Sequence, residues 1–554
     1  MNRKAFNELR RLFVSRFFAV DAGSADGGEL EAKFYQVLRF LATPGILLTL
    51  SLMPTYFALS HHARPGYEWE LRTNRLFFAA WSFSATGFAT VFEWDTLFPD
   101  RLDFLVLTQF PIRMRDIFLA KLAALGLFLS TVVIALNLPS TVLLPLISMG
   151  LPGARAAGFL HVFCAHIAST CGAAVFGFLL VAGVQGVLVN LANPRLFRRV
   201  SPYVQMVGMG TMILSLLLFP LYSMMMRVLA AEHPGWLAYF PPYWFAGVYE
   251  IFVPGPGRLL QELGFLGLKA ILVAASVFAA SWAVGYRRHY RRTLESEDTS
   301  SRRPSQLRLF DRLPRSPEER AVFHFILRTL ARSAKHRLFL ASYLSVGLSF
   351  GILSLVSLSH GVLGISRFGA RAFPLLVTFF VVSGYRAAFQ FPAELSANWV
   401  FQLAETGWAG AARSATRKSV LAVGIAPVLI LLLPFEIRFW GAPVGLFHAL
   451  FGFLCAALLV ELLFWRFEYV PFTCAYFPGA FNLAVLAAVY LYGFTNYGFR
   501  LAEVETSFEA SPGKAAVFVV GAVVALGLSW YRRRGIQPLK FDASVPDLQV
   551  LDLS

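Results

Sequence analysis

From Ala157 to Pro194 the chain carries no Asp, Glu, Lys or Arg. As a helix, such a stretch crosses a hydrocarbon core of about 30 Å, which needs about 20 residues, and continues beyond it. The rest of the sequence agrees. Of its 554 residues 57% are hydrophobic and only 15% charged, against about 25% charged in ordinary globular domains. Mean hydropathy is +0.60. A soluble fold has no place for 55 Phe at this charge density, whereas a bilayer does. Intrinsic disorder, collagen-like repeats and small disulfide scaffolds are excluded on the same grounds. The four Cys form no framework. They read as small apolar packers.

Spans of roughly 20 apolar residues fall near 40–59, 76–93, 117–137, 158–190, 203–225 and 262–285. A second set falls near 337–360, 372–389, 419–435, 444–465, 474–494 and 514–531. The expected fold is an all-α polytopic membrane protein of about twelve transmembrane helices in two six-helix repeats, with amphipathic interfacial helices. The net charge of +17 is distributed unevenly. With the N-terminus inside, the inner loops hold Arg195, Arg198 and Arg199, then Arg287, Arg288, Arg291 and Arg292, then Arg413, Arg417 and Lys418, then Arg532, Arg533 and Arg534. The opposite loop at 495–512 carries Glu503, Glu505 and Glu509 against Arg500. That is the positive-inside pattern, and it places both termini in the cytoplasm of a plasma-membrane protein. Arg64, Arg72 and Arg75 are exceptions, partly offset by Glu68 and Glu70. In this setting basic residues address membrane lipid, and no nucleic-acid partner is expected.

Residues 1–18 lack the apolar run and cleavage site of a signal peptide. Phe6, Leu9, Phe13 and Phe17 recur at helical spacing among Arg10, Arg11 and Arg16, which predicts an interfacial helix with its apolar face in lipid. A second basic amphipathic stretch occupies 321–336, with Phe323, Ile326, Leu327 and Leu330 on one face. The expected organisation is a first six-span half at 1–290 and a charged linker at 291–320. A second half follows at 321–531, then a cytoplasmic tail at 532–554. The inner loop after the second span supports a duplication. The first half reads Phe98-Pro99-Asp100-Arg101-Leu102 and the second Phe391-Pro392-Ala393-Glu394-Leu395. Six is even, so the halves are parallel repeats.

In the segment 94–121, Pro99 opens a short helix whose first turn holds Asp100 and Asp103. Leu102, Leu105 and Val106 give it one apolar face, and Pro111 closes it. Such a helix either docks in a groove of a soluble partner or lies at the interface with its basic residues on phosphates. Phe467–Pro478, FEYVPFTCAYFP, reads either as a structured interface segment making a second contact with such a partner or as a tight connection.

An amphipathic N-terminal helix, six spans, and the loop LFPDRLDFLVLTQFPIRMRDIFLAK between spans two and three resemble the ABC type-2 exporter permeases. The resemblance covers 1–290 as a plan and 320–554 less fully. It implies that Pro99, Asp100, Arg101, Leu102 and Asp103, with Pro392, Glu394 and Leu395 in the second half, couple the membrane part to a separate ATP-binding cassette ATPase. Two copies of that ATPase are expected, with ATP and Mg on it. It also implies short re-entrant helices around Pro241-Pro242-Tyr243-Trp244-Phe245. No G-x-x-x-x-G-K-[ST] loop occurs, so this chain is expected to hold no cofactor, to bind no metal and to carry out no catalysis itself.

Polar residues inside spans are costly and often functional. Gln185, Asn190, Lys269 and Glu461 are the ones that stand out. They read as snorkelling or interhelical bonding, and Gln185 and Asn190 alternatively as lining a pathway. His161 and His166 are poorly spaced for shared ligation and read as packing or water-facing residues. Two competing functions make different demands. A twelve-span ion-driven transporter requires membrane-embedded carboxylates, of which Glu461 is the candidate. A lipid-modifying enzyme requires an interfacial His or carboxylate cluster.

Overall fold

The computed structural model describes residues 3–17, 27–61, 67–98, 106–107, 109–110, 112–232, 235, 237–253, 258–295, 310, 312–359, 362–393, 401, 408–465, 467–473, 483–509, 511–532 and 539. The chain divides into two compact units, Met1–Thr299 and Ser300–Ser554. The protein is an all-α polytopic membrane protein. Ten helices among the described residues are long and apolar enough to cross a membrane. Two expected spans lie outside those ten. That at 76–93 is helical but shares its helix with Glu68, Glu70, Arg72 and Arg75, and that at 474–494 is described only from Leu483.

The first unit runs α1 (Arg3–Phe17), α2 (Gly27–His61), α3 (Tyr67–Phe92), α4 (Met114–Ser148), α5 (Pro152–Ala157) and α6 (Phe159–Leu191). It continues with α7 (Pro194–Leu217), α8 (Phe219–Glu232), α9 (Pro241–Phe252) and α10 (Leu259–Glu295). The expected span at 203–225 breaks at Leu218, because Pro220 suits only the first turn of a new helix. Helix α6 is the uncharged stretch. Its buried side chains lie all round it, and it packs against α3, α4, α9 and α10. Helices α9 and α10 meet backbone to backbone, since a Cβ at Gly247 would strike the main chain of Leu260 and Gly264.

The second unit runs α11 (Pro317–Arg332), α12 (Ala334–Leu355), β1 (Val356–Ser359), β2 (Val362–Ile365) and α13 (Arg367–Ala388). Next come α14 (Ala409–Ser419), a π-helical turn at Val420–Ile425, α15 (Ala426–Trp440) and α16 (Ala442–Leu463). It ends with α17 (Leu483–Thr495), a second π turn at Asn496–Arg500, α18 (Leu501–Glu509) and α19 (Pro512–Arg532). The span expected to reach residue 360 stops at Leu355. There Val356 and Leu358 alternate with Ser357 and Ser359, a period of two, and the chain forms an antiparallel hairpin pairing Val356 with Ile365.

The units repeat one plan. Helices α3, α6, α9 and α10 are matched in chain order by α13, α16, α18 and α19, and the packed pairs α3–α6, α6–α10, α9–α10 and α3–α9 have counterparts in α13–α16, α16–α19, α18–α19 and α13–α18. The same turn opens α6 and α16. Gly158 and Gly441 adopt φ +85° and +86° with ψ 151° and 163°. Each donates its N–H back to the preceding helix, to Ala154 or Ile437 at 2.9 Å, and its carbonyl accepts the first bond of the next helix. This backbone region is essentially closed to residues with a side chain.

The N-terminal helix departs from expectation. Leu9, Phe13 and Phe17 are buried against α4, not exposed to lipid. Lys121 of α4 is only 1% exposed, and its Nζ sits 4.7 Å and 4.9 Å from the rings of Phe13 and Phe17. An amphipathic stripe fits an apolar protein surface as well as lipid, and sequence periodicity does not separate the two. In the second unit α11 packs likewise on α14, burying Val322, Phe323, Ile326, Leu327 and Leu330.

Candidate functional site

Pro99, Asp100, Arg101, Leu102, Asp103, Glu394 and Leu395 lie outside the described residues. Pro392 is described and half-buried, and both of its neighbours are pinned. His336 of α12 donates from Nε2 to the Phe391 carbonyl at 3.2 Å. Ala393 N–H donates to the Phe472 carbonyl at 3.0 Å, and Phe472 N–H donates to Phe389 at 2.9 Å. Phe472 itself has φ +68° and is fully buried. The described part of the 467–478 segment, 467–473, is therefore a structured clasp on the loop after α13.

Gln185 is buried and donates to the Trp94 carbonyl at 2.5 Å, where α3 has ended. Trp94 donates from its indole to Ser201 at 2.9 Å, and Gln205 donates to the Val91 carbonyl at 3.1 Å. Together α6 and α7 supply donors to carbonyls that the end of α3 leaves open. Asn190 donates to Ser281 of α10 at 2.7 Å. Glu461 accepts from Arg417 of α14 at 3.2 Å and from Ser529 of α19 at 2.7 Å, an interhelical link. His166 is buried, 3.1 Å from Ser140 Oγ and edge-on to Phe78, while His161 is exposed.

At the end bearing α1 or α11, each unit fastens its amphipathic helix with a lysine. Lys121 does so in the first unit. In the second, Lys418 Nζ reaches Glu319 at 2.7 Å, and Ser414 donates to the same carboxylate at 2.6 Å. Burial raises the Glu319 acid. The Arg315 backbone N–H, Lys418 and Ser414 outweigh that and hold it below the usual carboxylate range.

The opposite end of each unit holds a buried ionisable cluster around the short helix before the last span. In the first unit Arg72 of α3 grips Glu250 of α9 bidentately, Nε to Oε1 at 2.7 Å and Nη2 to Oε2 at 3.2 Å. Arg72 is 5% and Glu250 1% exposed. Arg72 also lies over Trp69, and Arg75 over Tyr249 at 4.1 Å. Arg72, one of the exceptions to the positive-inside pattern, is thus paired in space with Glu250. In the second unit Nδ1 of His448 on α16 lies 2.7 Å from both carboxylate oxygens of Glu505 on α18. Its Nε2 lies 3.8 Å from Glu436 of α15. All three are buried, and neither His448 Nε2 nor either Glu436 oxygen has a hydrogen-bond partner among the described residues. The carboxylates address opposite ring nitrogens and do not converge on one point. No group of His, Cys, Asp and Glu among the described residues is arranged to hold a metal ion.

These clusters escaped the sequence reading, although a signal existed. Glu250 is the one charge in PPYWFAGVYEIF, and Glu436 and His448 sit in apolar runs where an ionisable group costs free energy unless partnered. Comparison with family models, curated proteins and solved structures finds no match to the chain.

Proposed function

We propose that the chain is the membrane subunit of an ATP-binding cassette exporter, with two six-span halves in one polypeptide. A separate ATPase, in two copies, would bind ATP and Mg and pull on the inner loops at 94–116 and 390–418. The observation that supports this reading is the build shared by both units. An amphipathic helix is clamped by a lysine onto the helix that follows the inner loop, and a short helix carries a buried glutamate before the last span. A force on the loop therefore meets a rigid lever, since the clasp through Phe391, Ala393 and Phe472 ties one loop to its unit. The alternative is a twelve-span transporter driven by an ion gradient, with both termini inside. What favours it is the Glu436–His448–Glu505 cluster, because such transport needs carboxylates at membrane depth.

Co-purification tests the first reading. A nucleotide-binding subunit should co-elute with the full chain from its native membrane and be lost when Asp100, Arg101 and Leu102 are changed together to alanine. Transport by the purified chain alone under an ion gradient, with no ATPase present, overturns it in favour of the second.

A further inference from the structure

We infer that Glu436, His448 and Glu505 form a proton-binding site, with one exchangeable proton held between His448 Nε2 and Glu436. The argument is one of charge. His448 carries at most one positive charge, and Glu505 already faces its Nδ1 at 2.7 Å through both oxygens. The ring can therefore balance at most one of the two carboxylates. Glu436 faces the remaining ring nitrogen at 3.8 Å, and among the described residues neither of its oxygens has a hydrogen-bond donor. An ionised Glu436 would leave a net negative charge buried near the end of a membrane helix, without solvent or a bonded donor to stabilise it. One further proton, taken from water at that end of the unit, removes the imbalance.

The surroundings are compatible with this count. The π turn at Val420–Ile425 brings no titratable group. From α13, the guanidinium of Arg371 lies over the Trp440 ring at 5.8 Å, and Arg367 is exposed. On α16, Cys455 is buried and feels the Glu505 charge. On the second π turn, the Tyr497 hydroxyl is buried, and Arg500 pairs with Glu503 of α18 at an exposed site. Arg438 on α15 and Lys514 on α19 are exposed. Trp440 stands edge-on to His448 with ring centroids 5.3 Å apart, which provides a built-in reporter. The proton lies across the Gly441 turn, between the last turn of α15 and the second turn of α16. Loading and releasing it changes the attraction between these two helices. The inference stands apart from the proposed ATPase coupling, because it concerns the opposite end of the unit.

The test is infrared difference spectroscopy between acidic and alkaline buffers on the full chain in lipid nanodiscs. A protonated-carboxyl band should appear on acidification, vanish in E436Q and persist in E503Q, which changes an exposed carboxylate. E505Q should weaken proton retention on Glu436 by about tenfold, one pH unit, by removing the like charge of the second carboxylate from the site. A matching change in tryptophan emission should be lost in W440F. Absence of any such band in the wild-type chain at every pH overturns the inference, whether or not the variants fold. So does a band that survives in E436Q, or a response to sodium at constant pH in place of a response to pH.

Discussion

Glu250 and Glu505 each lie buried on the short helix before the last span of their unit, and they have opposite kinds of partner. Glu250 is held by Arg72 through two parallel bonds, with an aromatic ring on the guanidinium. A guanidinium keeps its charge throughout the range in which proteins work, so that pair is a fixed brace. Glu505 is held by His448, whose second nitrogen looks toward another carboxylate with no closer donor. In each unit the buried glutamate of this short helix is thus paired, in one with a permanent cation and in the other with an imidazole.

If the first copy is a brace, breaking it should give the largest stability loss in the molecule. Arg72→Ala leaves Glu250 buried without its counter-charge, and removing one partner of a buried pair costs about 3–5 kcal/mol. Thermal denaturation in detergent, followed by loss of the monodisperse peak, should show this. Replacing both residues, R72M with E250L, should recover most of the loss, because the remaining site is apolar. If the double variant is as unstable as the single, the pair has a role beyond bracing and the contrast with the second unit fails.

The turns opening α6 and α16 test whether the units share a backbone as well as a plan. Among the described residues nothing lies within 4 Å of a Cβ added at Gly158 or Gly441, so alanine there meets no steric obstacle from them beyond its own main chain. The expected cost is that of a non-glycine residue in this region of backbone space, about 1–3 kcal/mol at each site. G158A and G441A should lower the midpoint of thermal unfolding by similar amounts. A cost at only one site would mean that the two turns are not equivalent.

Much of this plan is legible in the amino-acid order, because periodicity and charge asymmetry are local. The uncharged run that became α6, the basic stretches and the repeated Phe-Pro after the second span all lie within reach of a short window. The polar pairs are not local. Arg72 and Glu250 are 178 residues apart, and His448 and Glu505 are 57 apart. Only the packing of α3 on α9, and of α16 against its neighbours, brings them together. The window also misassigned the apolar face of α1, since lipid and the Lys121 side of α4 offer the same chemistry to Phe13 and Phe17.

The other ends of the two units offer the mildest contrast. Lys121 holds α1 through aromatic faces, whereas Lys418 holds α11 through a carboxylate, so only the second clamp should respond to acid. The folded-state pKa of Glu319 lies below its ordinary value of 4.5. Its ionised form therefore stabilises the fold fully above that value, and the contribution disappears as pH falls through the lower, folded value. The partner Lys418 is partly exposed, so screening keeps the effect to about 1 kcal/mol or less. Thermal midpoints of wild type and E319Q should differ at neutral pH and converge in acid. K121M should lower stability by an amount that does not change over the same interval. A difference between wild type and E319Q that persists to the lowest accessible pH would place the clamp's strength in the Ser414 and Arg315 hydrogen bonds and not in charge.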